Sequence, residues 1–101
     1  MASIQMNIPH QLTQQEALQR IQSLLQKVKG QFGDKISDLR EEWDGSTGDF
    51  SFKVMSFDVS GILTVNESSV NLDGKIPFAA SFFKGKIKSV INEEAEKILK
   101  K

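Results

Sequence analysis

The sequence predicts a single α+β domain, an antiparallel β-sheet with two amphipathic helices on one face, in the order β-α-β-β-β-β-α. Three observations carry this reading. Apolar residues alternate with a period of two near the start and again between Ile36 and Ile76, the pattern of strands with one buried face. Two longer stretches repeat apolar residues at helical spacing. The strand-rich middle is broken only by short turn sequences, which imply hairpins and hence a meander.

In "SIQMNIP", Ile4, Met6 and Ile8 alternate with Gln5 and Asn7, and Pro9, which lacks an N–H, ends the pairing. Thr13 and Glu16 then have the spacing of a capping box, the threonine oxygen accepting an amide while the glutamate reaches back. One helix follows, with Ala17, Leu18, Ile21, Leu24, Leu25, Val28 and Phe32 on its apolar stripe and Gln14, Gln15, Gln19, Gln22 and Gln26 opposite. Gly33 is placed to cap it.

Between Ile36 and Ile76 four strands are expected. Leu39, Glu41 and Trp43 share one side, and "DGSTGD" makes a turn. Phe50, Phe52 and Val54 share a face, with Met55 and Phe57 counted onto the other. Val59, Leu63 and Val65 align, with Ile62 opposite; after the turn "NESS", Val70, Leu72 and Ile76 align. The C-terminal helix places Phe83, Ile87, Val90, Ile91, Ala95 and Ile98 on one face, and Glu93–Lys97 and Glu96–Lys100 are spaced as ion pairs.

The chain has 101 residues and no linker, repeat or low-complexity tract, so residues 1–101 read as one domain. Hydrophobic residues make up 39% and charged residues 26%, enough to build a core and too apolar for disorder. Thirteen basic side chains balance thirteen acidic ones, which removes the concentrated positive charge that nucleic-acid binding needs. The absence of cysteine excludes disulfides, zinc–thiolate sites and thiol catalysis. No apolar run approaches a membrane span and the start lacks a secretory signal, so a cytoplasmic protein without integral membrane association is expected. In that setting Asn66-Glu67-Ser68 is a chance glycosylation pattern.

A strand closing on Pro9-His10, a capped helix directly after it, a tryptophan before the turn in "EWDGSTGDF", and a last strand running into "IPFAASFFKGKIKSVINEEAEKIL" together resemble the polyhydroxyalkanoic acid system family. These are small bacterial proteins named for their association with polyester storage granule genes. The resemblance covers nearly the whole chain and implies a bacterial, cytoplasmic setting and a link to hydroxyacyl polymer metabolism. It brings no catalytic or binding residues with it.

His10, the sole histidine, is the weak candidate for acid–base chemistry, because no second histidine or cysteine exists to form a site with it. Donation to a nearby carbonyl, ordering the strand-to-helix turn, is the preferred reading. "DGSTGD" lacks the ligand spacing of a calcium loop, adjacent Glu41 and Glu42 point to opposite faces, and no nucleophile elbow or phosphate loop is present.

Glu94 falls inside the apolar stripe of the last helix, where a carboxylate is costly unless paired with an inward basic side chain or aimed at a polar ligand. The commoner place for such a residue is the rim, where the helix overhangs the sheet. Met55, Phe57 and Ile62, with Trp43 a further member, are expected as an apolar patch on the sheet's outer face, the kind of surface that binds partners. A bulge near Ser56 would instead turn Phe57 inward. Phe82 and Phe83, beside Lys84, Lys86 and Lys88, are read as core.

The leading functional expectation is a non-enzymatic accessory protein acting in granule association or regulation through hydrophobic surfaces. The alternative is a small carrier holding an acyl or hydroxyacyl ligand between helices and sheet, and an enzyme using His10 ranks last. Expected partners are a polymer granule surface, a granule-associated protein, or a second copy joined through a free sheet edge. No cofactor, metal or nucleic acid is expected.

Overall fold

The computed structural model describes residues 2–100. The period-two stretches form β1 (Ala2–Pro9), β2 (Ile36–Asp44), β3 (Thr47–Val54), β4 (Phe57–Val65) and β5 (Ser69–Ile76); the helices are α1 (Gln14–Ile21), α2 (Leu24–Phe32) and α3 (Lys84–Leu99). A 3₁₀ helix, Phe78–Phe83, leads into α3. The sheet order is β1-β5-β4-β3-β2, with every neighbouring pair antiparallel. β2 to β5 form the expected meander. β1 returns to pair with β5, so β1 and β2 are the two edges.

All three helices pack on one face, burying Ile21, Leu24, Leu25, Val28, Ile87 and Ile91 against Ile4, Phe52, Val54, Leu63, Val65, Val70 and Ile76. The opposite face is polar: Gln5, Asn7, Asp49, Lys53, Asp58, Ser60, Asn71 and Asp73 are all exposed.

The single N-terminal helix expected from the sequence is two helices. The Ser23 hydroxyl donates to the Arg20 carbonyl at 2.8 Å, a side-chain competition with the backbone ladder that bends helices. The break lets α1 contact β4 while α2 contacts β2 and α3. The capping box is half formed. Thr13 Oγ1 accepts from the Glu16 amide at 3.1 Å, but the Glu16 carboxylate turns to Arg20 at 2.7 Å. Arg20 also donates to the carbonyls of Ile98 (3.3 Å) and Lys100 (2.7 Å), satisfying groups that the end of α3 leaves free.

The outer apolar patch is the principal correction. Met55 and Ser56 form a two-residue hairpin turn with φ of 52° and 74°, which makes Val54 and Phe57 direct partners on the same, helix-covered face. Trp43 also faces this side, lying over its cross-strand partner Gly48; a Cβ there would sit 2.6 Å from the indole. The bulge lies instead in β2, at Asp38 (φ 54°). Ile62 does point outward, 44% exposed, but its cross-strand partners are Asp49 and Asp73. It is an isolated side chain between two carboxylates.

Candidate functional site

The exposed apolar surface lies at one end of the sheet. Pro77, with φ fixed near that of an extended residue, ends β5, and the chain turns into the 3₁₀ helix Phe78–Phe83. Phe78 and Phe82 there are each 72% exposed. Phe82 meets Phe57 edge-on, with centroids 6.4 Å apart, and leans on Phe83 at 4.7 Å. Phe57 and Phe83 are half-buried, and Phe83 packs against the core and anchors the group to it. Met55, 47% exposed, caps the β3–β4 hairpin two residues before Phe57, and its amide is tied to the Lys35 carbonyl at 2.9 Å. The core position expected for Phe82 is therefore corrected: a 3₁₀ helix, wound at about three residues per turn, does not continue the stripe of α3. Lys84 and Lys86 come immediately after, so cationic groups border the aromatic end.

His10 is buried, and both its ring nitrogens are engaged. Nε2 donates to the Asn66 carbonyl at 3.0 Å, and Nδ1 accepts from the Leu12 amide at 3.1 Å. The Leu12 bond fixes the tautomer, because an amide can only donate. Gln14 adds a bond from its side chain to the Val65 carbonyl at 2.9 Å. Together they staple the β1-to-α1 connection to the β4–β5 turn. A shallow groove of about 320 Å³ runs past His10, Glu96 and Lys100, but the ring has no free nitrogen to offer it.

Glu94 is 6% exposed and lies in the seam between α2 and α3. Gln31 Nε2 donates to its Oε1 at 2.7 Å, and Lys97 Nζ stands 3.9 Å away. The carboxylate is thus paired across two helices, not aimed between helices and sheet, which removes the motive for placing an acyl ligand there. Because Gln31 is exposed and can turn to water, Glu94→Leu is expected to leave stability within about 1 kcal/mol of the parent, or to raise it. Chemical denaturation measures this, and a loss above about 2 kcal/mol would show that the carboxylate is needed where it stands.

The structure therefore separates the residues that the sequence singles out. Phe57 and Met55 belong to the aromatic end, Trp43 and Ile62 lie on opposite faces, and His10 and Glu94 are held in separate structural joints. Phe78 and Phe82 are surface groups that sequence reasoning misses. Their signal is Pro77, which has no N–H for the ladder and so ends β5 several residues before the apolar stripe of α3 begins. Among the described residues no group of three or more His, Asp or Glu is gathered to hold a metal ion, and no helix is long and apolar enough to cross a membrane.

Fold and site define a small α+β domain whose most exposed large apolar side chains, among the described residues, are two phenylalanines. The chain belongs to the family described as "Putative polyhydroxyalkanoic acid system protein", which it matches over residues 4–99. No curated protein and no solved structure matches it.

Proposed function

We propose that the protein is a non-enzymatic accessory component of polyhydroxyalkanoate storage that sits on the granule surface through its aromatic end. The observation that carries this reading is the exposure of Phe78 and Phe82, each 72%, on a domain whose outer sheet face is polar. The description of the family as a polyhydroxyalkanoic acid system protein supports the choice of occupant: on a water-insoluble polyester surface, exposed rings lose contact with water. Burying an aromatic side chain is worth about 1.5–3 kcal/mol, so two rings beside lysines contribute to an attachment that is weak and reversible.

Co-sedimentation with isolated granules tests it. The wild type is expected to pellet, and Phe78→Ser with Phe82→Ser to lower the binding constant by roughly tenfold or more per ring. Ile62→Ser, on the polar face, is expected to bind as the wild type does. Equal binding by the double variant would discard the aromatic end, and a wild type that stays in solution would discard granule attachment.

A further inference from the structure

The two sheet edges are built differently. β2 carries a bulge at Asp38 and the charged side chains Asp38, Arg40, Glu41, Glu42 and Asp44, the devices by which natural edges refuse further strands. β1 carries none of them. It pairs with β5 in unbroken register from Ala2↔Ile76 to Pro9↔Ser69 and has no charged residue. A long, regular, uncharged edge is a template for another strand.

We propose that this strand is β1 of a second copy, related by a two-fold axis, joining two five-stranded sheets into one of ten. The hydrogen-bond pattern sets the register. The His10 amide donates to Ser68 O at 2.9 Å, and bonded pairs alternate along an antiparallel ladder. Ala2, Ile4, Met6 and Ile8 therefore bond to β5, which leaves the backbone groups of Ser3, Gln5 and Asn7 directed outward. All three are used when Gln5 faces Gln5 of the second copy and Ser3 faces its Asn7. On the polar face this aligns hydroxyls and amides with no like charges opposed. On the other face Ile4 meets Met6 of the second copy.

A groove fits this arrangement. Met6 is only half-buried although Ile4 and Ile8 beside it are buried, because an open groove of about 530 Å³ runs between β1 and α3. Gly85, Lys88, Ser89 and Asn92 line its helix side, and a Cβ on Gly85 would meet nothing within 4 Å. Ile4 of the second β1 would seat against Met6 within it. A charged peptide has less to gain, since Lys88 is the sole charge in the lining.

Sedimentation velocity on the whole protein is the test. The wild type is expected at twice its 11.3 kDa mass in the micromolar range, and Gln5→Pro at the monomer mass with an unchanged circular dichroism spectrum. Proline at this position removes an outward N–H and none of the bonds to β5. If Gln5→Pro does not fold, Gln5→Lys replaces it: two ammonium groups face each other across the axis, weakening the dimer roughly tenfold at low salt, with recovery at high salt. Gln5→Cys in this cysteine-free chain is expected to oxidise to a linked dimer, since opposed Cα atoms about 5.5 Å apart lie within bridging range. A monomeric wild type, a dimer indifferent to these substitutions, or a different polypeptide seated on β1 in a native mass spectrum would each overturn the proposal.

Discussion

Gly61→Val is expected to cost about 3 kcal/mol or more, a large share of the roughly 5–15 kcal/mol that holds a domain of this kind together. A Cβ at Gly61 would stand 2.6 Å from the Asp73 carbonyl oxygen, 2.8 Å from Gly74 Cα and 2.9 Å from Phe50 Cζ. Two of these atoms are β5 backbone, which cannot retreat without opening the β4–β5 ladder. The third belongs to Phe50, the cross-strand partner whose ring reaches over the glycine. Gly30→Ala is the contrasting control. No atom lies within 4 Å of its Cβ position in α2, so alanine should add about 0.5–1 kcal/mol through helix propensity. Urea midpoints of the two variants moving apart in these directions would confirm the packing, and a Gly61→Val midpoint equal to the parent's would refute it.

His10→Ala is expected to cost about 1–3 kcal/mol, the penalty for leaving buried polar groups unpaired. The Leu12 amide and the Asn66 carbonyl both lose their partner at a corner where three elements meet. The same variant should speed hydrogen exchange at the Leu12 amide and leave the exchange of amides in α3 close to the parent's on the scale of local opening. A catalytic histidine would behave in the opposite way: its removal would abolish an activity while leaving the midpoint and the Leu12 amide unchanged.

Strands and helical stripes are legible because burial imposes periodicity: Ile4, Met6 and Ile8 display it without interruption, and Val70, Leu72 and Ile76 with only Gly74 between them. Phe57 is misplaced by the sequence pattern for a definite reason. Hairpin turns with positive φ are normally marked by glycine, asparagine or aspartate, whereas Met55-Ser56 carries no such mark, so a straight count through the turn inverts the face assigned to Phe57. Trp43 and Gly48 are hidden differently. Gly48 reads as part of the turn, but it is a strand residue whose missing side chain is the space the indole occupies. The Ser23 break leaves no trace in the apolar stripe because both halves of the helix serve the same core. At Glu94 the stripe marks a carboxylate that is costly to bury, but the rim position expected for it does not hold: it is buried, and its partner Gln31 lies 63 positions away, so only the fold brings them together. The aromatic end depends on where β5 stops and α3 begins, a boundary of a few residues that decides whether Phe82 faces the core or water.

The pairing of Trp43 with Gly48 also determines what light can report about this protein. The chain has one tryptophan and no tyrosine, so its long-wavelength ultraviolet emission arises at a single point on the β2 edge. The proposed dimer contact lies on the opposite edge, β1, and the exposed phenylalanines lie at the other end of the strands. The indole is therefore a local gauge of β2 lying down on the sheet. Self-association and granule attachment would leave its colour unchanged, and a red shift would mean that β2 had lifted from its neighbour.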